Sequence, residues 1–97
     1  MSQLKFSAKA IEDLTSIYNY TFETCSEDQA EYYYLMLTKA CKSLVKDRNK
    51  GKIYSSILHD LLGYHCMKHI IFYRITVEGD IEIIRVLHEV MDVKNKF

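Results

Sequence analysis

Basic and titratable side chains are concentrated in the C-terminal half of the chain, where they could bind or transform an anionic partner. Lys68 and His69 begin the run KHIIFYR, which also contains Arg74, and a later run, IRVLH, contains Arg85 and His88. An arginine in the middle of a strand costs free energy unless it is paired or faces a cleft. Arg74 and Arg85 are therefore expected either in salt bridges to helix acids, or with their stems under a helix and their heads in water, or on a concave basic surface that binds phosphate or carboxylate groups. His88 is expected to be a hydrogen-bonded residue of an apolar face rather than a general base.

The sequence contains no pattern typical of metal binding, nucleophilic catalysis or a phosphate-binding loop. His65 and His69 are four residues apart, which in one strand separates them by about 13 Å, too far for one metal ion. The three glycines are isolated and no G-x-S-x-G motif occurs, so neither a phosphate-binding loop nor a nucleophile elbow is predicted. The three cysteines lack C-x-x-C spacing and indicate neither a disulfide framework nor a zinc site. We therefore predict no metal site and no cofactor.

The run from His69 to His88 predicts the β-hairpin that would position these residues. Two β-branched, aromatic-rich segments flank Glu78-Gly79, and a two-residue turn there would use the positive φ that glycine tolerates. Such a turn sets the pairs Val77–Asp80, Tyr73–Ile84, Phe72–Arg85 and Ile71–Val86. By alternation, one face would carry Ile71, Tyr73, Ile75, Ile84, Val86 and His88, and the other Ile70, Phe72, Arg74, Ile81, Ile83, Arg85 and Leu87.

Two consequences follow from that register. Arg74 and Arg85 would be diagonal neighbours on one face, with Cβ atoms about 7 to 8 Å apart. Both faces are apolar enough to be covered by other parts of the chain, so the hairpin should lie at the centre of the sheet.

The rest of the chain predicts the elements that cover this hairpin. Residues 3–6 alternate as a short strand, after which Ser7 can cap a helix over residues 8–25. Ser26 begins a capping-box pattern for a second helix that runs to about Arg48 and folds back on the first as a hairpin. Residues 52–60 are expected as a loop or short helical turn, residues 61–66 as a strand with a turn at 67–68, and residues 89–97 as a polar tail that docks locally. The predicted fold is α+β: a first strand, an antiparallel two-helix hairpin and a small, mainly antiparallel C-terminal sheet, in the order β-α-α-β-β-β.

Length and charge suggest one small domain, residues 1–97, with its charges unevenly spread. The net charge is zero, but residues 1–38 carry two lysines against six acids, and the later part is correspondingly basic. The basic residues around Lys39 to Lys52 are expected to be a solvated helix face and loop, with an acidic partner as the alternative. No signal-peptide pattern and no apolar run of about 18 residues occurs, which predicts a cytoplasmic chain that does not enter a membrane.

Short stretches along the whole chain resemble the ParE branch of the RelE/ParE toxin superfamily. They are Glu12-Asp13-Leu14 with Ile17-Tyr18 and Tyr20-Thr21, then Gly51-Lys52, the run KHIIFYR at 68–74, and IRVLH at 84–88 followed by Met91-Asp92. The sequence departs from the family pattern where Lys52 replaces an arginine, where the proline that often follows is absent, and where Met67 occupies a turn position usually held by a small residue.

This resemblance implies the toxin of a type II toxin–antitoxin module that acts on DNA gyrase by binding, without chemistry of its own. A small ParD-like antitoxin would wrap the toxin, and DNA would be met only indirectly, through the antitoxin complex. Lys68, Arg74 and Arg85 are then the candidates for binding the target. Val90, Met91 and Val93 are the candidates for binding the antitoxin.

The alternative is the RelE-type activity, cleavage of messenger RNA on the ribosome by clustered basic residues with a Tyr or His near the C-terminus. Under that alternative the catalytic candidates are Arg74, Arg85, His69 and His88. The tail EVMDVKNKF ends without a matching Tyr or His, which favours the gyrase hypothesis. A degenerate toxin that serves only as an antitoxin partner or in autorepression is a third possibility left open by the sequence.

Overall fold

A two-helix hairpin packs against a five-stranded sheet. The computed structural model describes residues 3–97 of the chain. Its elements are β1 (Leu4–Phe6), α1 (Ala8–Thr24), α2 (Glu27–Lys46), β2 (Lys52–Ile53), β3 (Leu62–Cys66), β4 (His69–Ile75), β5 (Ile81–His88) and a C-terminal 3₁₀ helix (Val93–Lys96). The strand order is β1-β5-β4-β3-β2, with β1 parallel to β5 and the other neighbours antiparallel. The predicted α+β order is confirmed, and β2 is an addition to it.

A serine caps the N-terminus of each helix, as the sequence predicts. The Ser7 hydroxyl accepts a hydrogen bond from the Ala10 amide at 3.0 Å and donates one to the Ile84 carbonyl at 2.7 Å. Ser26 accepts from the Gln29 amide at 3.1 Å. Each cap satisfies an amide that has no partner inside the helix. Because only two residues separate α1 from α2, the helices must lie side by side in opposite directions.

The turn of the central hairpin differs from the prediction, because it contains three residues rather than two. The Thr76 amide donates to the Asp80 carbonyl, and the Gly79 amide donates to the Thr76 carbonyl, both at 2.9 Å. Gly79 has a φ of 87°. This is a tight turn over Val77 and Glu78 followed by a left-handed glycine, the common three-residue hairpin loop.

A bulge in β5 compensates for the extra turn residue. Near the turn, Tyr73 pairs with Ile83 and Arg74 with Glu82, one residue out of the predicted register, and Ile84 has no partner. Beyond the bulge, the predicted pairing of Phe72 with Arg85 is restored. The predicted faces are therefore wrong for Ile81, Ile83 and Ile84: the first two join the helix-facing core, and Ile84 packs on the opposite side.

Both faces of the sheet are covered, as predicted. The larger core lies between the sheet and the helices and includes Leu14, Leu37, Ile71, Tyr73 and Ile83. The smaller core lies on the other face, where the following residues pack: Leu61, Ile70, Phe72 and Leu87, with Tyr54, Ile57, Ile84 and Val93 around them. Covering the second face requires the connection from β2 to β3 and the C-terminal residues, and this explains why neither segment is a free loop.

Candidate functional site

An open groove of about 730 Å³ brings together residues that are far apart in the sequence. Its walls are the second half of α1, the beginning of α2, the first residue of β4 with Lys68 before it, the last residue of β5, and the residues just after β5. It collects five of the predicted site residues: Lys68, His69, His88, Val90 and Met91. The groove is the candidate site because it joins candidates for catalysis, target binding and antitoxin binding in one place.

His69 and His88 form a cross-strand pair in this groove. They are register partners of β4 and β5, and their ring centroids are 5.1 Å apart in an edge-to-face arrangement. His88 Nδ1 accepts from the Val90 amide at 3.2 Å, which holds the second residue beyond β5 against the ring. His88 is thus hydrogen-bonded as expected, but it is only partly buried.

Tyr33 of α2 fixes the orientation of His69. Its hydroxyl lies 2.7 Å from His69 Nδ1 and accepts from the Lys68 amide at 3.2 Å. Because the Lys68 amide supplies a proton to the Tyr33 oxygen, the hydroxyl's own proton is the one available for Nδ1. We therefore assign a neutral His69 with its proton on Nε2.

The electrostatics of the groove favour this neutral arrangement. Burial, followed by repulsion from His88, lowers the pKa of His69 from 6.5 to about 4. Burial also raises the pKa of the Tyr33 hydroxyl above its ordinary value of 10.0. Near neutral pH, the pair therefore acts as a hydrogen-bonded link between α2 and β4, with both partners uncharged.

Arg85 is tied to the first helix by a two-pronged ion pair. Its Nε donates to Asp13 Oδ2 at 2.7 Å and its second terminal nitrogen donates to Oδ1 at 2.9 Å. The same carboxylate accepts from the Val86 amide at 3.0 Å, and Arg85 also donates to the Lys96 carbonyl at 2.8 Å. The hydrogen bond to Asp13 raises the pKa of Arg85. The salt bridge to a helix acid, one of the predicted alternatives, is the arrangement found, and it joins α1, β5 and the C-terminal residues.

Arg74 has a different environment, although it too is paired. Its Nε donates to Glu82 Oε1 at 2.9 Å across the hairpin, and about half of its side chain is exposed. By alternation along β4, Arg74 lies on the opposite sheet face from His69. Arg74, Arg85 and the two histidines are therefore not brought into one cluster.

Tyr73 has a structural role that the sequence did not show. The ring is fully buried, and its hydroxyl donates to the Arg48 carbonyl at 2.8 Å and accepts from the Gly51 amide at 2.9 Å. A Cβ at position 51 would lie 2.6 Å from the hydroxyl oxygen, so glycine is required for this close approach. The tyrosine thereby fixes the chain after α2.

The antitoxin-binding candidates occupy two environments. Val90 is 82 % exposed and Met91 is 44 % exposed, and both line the groove. Val93 instead packs on the smaller core, and Phe97 places its ring 5.3 Å from that of Phe72. The predicted local docking of the tail is therefore present at its far end, whereas its first residues are open to a partner.

The groove also contains helix residues that sequence reasoning missed. Tyr20 and Tyr33 supply much of its aromatic wall. Asp13, which does not line the groove, is a further residue that was missed, and it holds Arg85. A signal existed for Asp13, because it lies three residues after Ala10 and four before Ile17 on the apolar side of α1. An acid on that stripe needs a cationic or amide partner.

His65 and His69 do not share one strand, contrary to the prediction. His65 lies on β3 and His69 on β4, on either side of a turn, and their register positions place them on opposite sheet faces. Among residues 3–97, no group of three or more His, Cys, Asp or Glu side chains is arranged to hold a metal ion. In the same part of the chain, no helix is long and apolar enough to cross a membrane.

This architecture is shared with solved toxin–antitoxin proteins. A chain of the chromosomal ParDE toxin–antitoxin system from P. aeruginosa superposes with a TM-score of 0.79 at 21 % identity, over 91 % of this chain and 96 % of that one. A chain of the RelBE2 toxin–antitoxin complex from Mycobacterium tuberculosis gives 0.70 at 18 % identity, over 90 % and 96 %. The fold is therefore that of the RelE/ParE class.

Sequence comparison identifies the branch. A family profile described as the ParE toxin of the type II toxin–antitoxin system, parDE, matches residues 4–93. Toxin ParE1 of Mycobacterium tuberculosis is 33 % identical over 92 residues, which cover 95 % of this chain and 94 % of that protein. The chain belongs to the ParE toxin family of type II toxin–antitoxin systems.

Proposed function

We propose that this ParE-family toxin inhibits DNA gyrase by binding it and that a cognate ParD-like antitoxin neutralises it in the cytoplasm. The observation that carries the choice of mechanism is the separation of the four residues proposed for RNA cleavage. Arg85 is engaged by Asp13, and Arg74 lies on the other sheet face from the histidine pair. General acid–base cleavage needs its groups within reach of one phosphate, whereas a binding surface can be dispersed.

The target-binding candidates differ in what they can offer gyrase. Lys68 lies at the groove, and Arg74 exposes half of its side chain. Only 15 % of the Arg85 side chain is exposed. We therefore assign target contact to Lys68 and Arg74, and we assign to Arg85 the task of holding β5 and the C-terminal residues in place.

The antitoxin is proposed to cover the groove. The structural relatives come from ParDE and RelBE2 toxin–antitoxin systems, and the groove combines a mostly apolar wall with exposed Val90, Met91 and Tyr20. An amphipathic antitoxin segment could bury these side chains in the way that helices bind hydrophobic grooves. DNA would be met only through the antitoxin of that complex.

The proposal predicts that purified toxin inhibits gyrase supercoiling and traps cleaved DNA while ribosome-bound messenger stays intact. Arg74→Gln should weaken gyrase inhibition about tenfold or more, because a charged contact to the target is lost. Lys9→Gln removes a charge from an exposed position of α1 and serves as the matched control, with inhibition unchanged.

Messenger cleavage would reverse this assignment. If the wild-type toxin cut ribosome-bound messenger at codon positions, and a folded His88→Gln variant did not, the RelE-type ribonuclease activity would replace gyrase inhibition. The groove around His69 and His88 would then be its active site.

A further inference from the structure

The outward face of α2 carries a charge pattern that the proposed function does not use. Asp28, Glu31, Leu35, Lys39 and Lys42 are all exposed, and at about 100° per residue they fall within an arc of about 80° on the helix surface. The buried residues of the helix, such as Leu37 and Cys41, lie outside this arc. We call these five exposed residues the α2 stripe.

The α2 stripe is ordered along the helix axis. Its two acids come first, Leu35 stands at the centre, and its two lysines come last. Lys46, at the C-terminal end of α2, is also exposed in this arc and has no counterpart in the stripe. Within the described residues 3–97, no ion pair engages any of the four charged side chains of the α2 stripe. Leu35 is 63 % exposed.

This order is self-complementary when two copies of the helix run antiparallel. If a two-fold axis passes at Leu35, Asp28 of one copy faces Lys42 of the other, Glu31 faces Lys39, and the two Leu35 side chains meet. A two-fold interface repeats each pair, giving four charge pairs around an apolar centre. The spacing of seven residues from Asp28 to Leu35 and from Leu35 to Lys42 is the repeat that keeps one helix seam facing its partner.

A groove beside Leu35 offers room for the partner's side chain. It has a volume of about 450 Å³ and is bordered by Ile11, Tyr34, Leu35 and Thr38. Ile11 and Tyr34 are themselves 55 % and 42 % exposed. A leucine approaching from a second copy would bury apolar surface on both chains.

We propose that the α2 stripe is a homodimer interface in which two copies pack α2 antiparallel about a two-fold axis at Leu35. A uniformly acidic or uniformly basic partner would be attracted by one half of the stripe and repelled by the other, whereas a second copy is attracted by both. The net charge of zero also removes any overall repulsion between copies. This interface is independent of the gyrase and antitoxin assignments.

A charge-swap series tests the interface in the purified full chain. Sedimentation velocity at micromolar concentrations and low salt should show a monomer–dimer equilibrium. In the Glu31→Lys variant, the lysine at position 31 of each copy faces Lys39 of the other, so the dimer contains two repulsive pairs. This substitution should raise the dissociation constant of the dimer about tenfold or more. Combining Glu31→Lys with Lys39→Glu restores opposite charges and should restore dimerisation. Glu23→Lys, at an exposed position of α1, is the matched control and should leave the dimer unchanged.

A cysteine at the two-fold axis tests the register. In a Cys25→Ser background, which removes the exposed native thiol, mild oxidation of L35C should give a covalent dimer, because a disulfide forms only when the two Cα atoms come within about 7 Å. Y20C, at an exposed position of α1, should stay monomeric. Circular dichroism of every variant checks that the fold is retained.

Three results would overturn the proposal. One is a wild-type chain that sediments as a monomer at all concentrations tested. Another is a dimer that Glu31→Lys does not weaken or that the double variant does not restore. The third is a monomer in which Glu31→Lys instead weakens binding of the antitoxin encoded beside the toxin, because the α2 stripe would then belong to that partner.

Discussion

Arg74 and Arg85 illustrate how two residues of one type take different roles a few residues apart. Arg85 makes two hydrogen bonds to Asp13 and one to the Lys96 carbonyl, and its side chain is 15 % exposed. Arg74 makes an ion pair with Glu82 from a half-exposed position. Breaking a sequestered pair leaves a carboxylate without its partner, whereas an exposed pair contributes little because water and salt screen it.

Arg85→Gln is therefore expected to destabilise the fold by about 2 to 4 kcal/mol, and Arg74→Gln by less than about 1 kcal/mol. The glutamine retains most of the stem, so the comparison isolates the charge. Urea unfolding of both variants measures the difference. Equal losses of stability would show that Arg85 does not act as the tie between α1 and β5.

His69 should make stability depend on pH. Its pKa in the folded state is lowered to about 4 from an ordinary value of 6.5, so between these values the unfolded chain binds more protons than the folded chain. Stability therefore rises with pH across this interval: the contribution is fully present above about pH 6.5 and is lost as pH falls towards 4.

Thermal melting across that interval tests this dependence. The wild-type melting temperature should fall as the pH is lowered from 7 to 4.5, and replacing His69 by Gln should make the fall shallower. His59→Gln is the control, because that ring is 91 % exposed; a slope that changes as much in this control would remove the special role of His69.

Among the helices, strands and turns, the sequence predicted those features that depend on local patterns. The Ser7 and Ser26 caps, the helical periods and the turn at Met67 and Lys68 all have a signal within a few residues, and each is present. Strand β2 consists of Lys52 and Ile53 alone, which is too short for an alternation pattern. It forms because Lys52 and Ile53 pair with Gly63 and Leu62 at the edge of the sheet, a tertiary contact.

The central hairpin shows where local reasoning fails and why. Glu78-Gly79 fits a two-residue turn, but Gly79 also fits the last position of a three-residue loop, and the sequence does not distinguish them. The longer loop shifts the register by one, and the bulge at Ile84 shifts it back. The pairing of Phe72 with Arg85 was therefore predicted correctly only because the bulge offsets the extra turn residue, and the faces of Ile81, Ile83 and Ile84 were predicted wrongly.

For the molecule as a whole, the sequence predicted only part of the candidate site. Lys68, His69 and His88 lie near one another along the predicted hairpin, so their proximity followed from strand pairing. Tyr20 and Tyr33 belong to the helices, and their position over this end of the sheet is set by how α1 and α2 cross it. That crossing depends on the complete core, which no short window of sequence encodes.

The same groove gives a prediction for the whole toxin–antitoxin complex. Binding to the native state stabilises a protein by mass action, by about 4 kcal/mol at a thousandfold excess over the dissociation constant. The melting temperature of the toxin should therefore rise strongly when the antitoxin is added. Met91→Glu places a charge in the apolar groove and should weaken antitoxin binding about tenfold or more, because burying that charge is costly.

Val77→Glu is the matched control for this experiment. Val77 is an apolar residue that is fully exposed at the hairpin turn, so the same kind of substitution there should leave both antitoxin affinity and the rise in melting temperature unchanged. Isothermal titration of the two variants against one antitoxin preparation measures the contrast. The opposite result is that Met91→Glu binds as tightly as wild type while Val77→Glu binds weakly. In that case the antitoxin would cover the turn of the hairpin, and the groove around His69 and His88 would remain open in the complex.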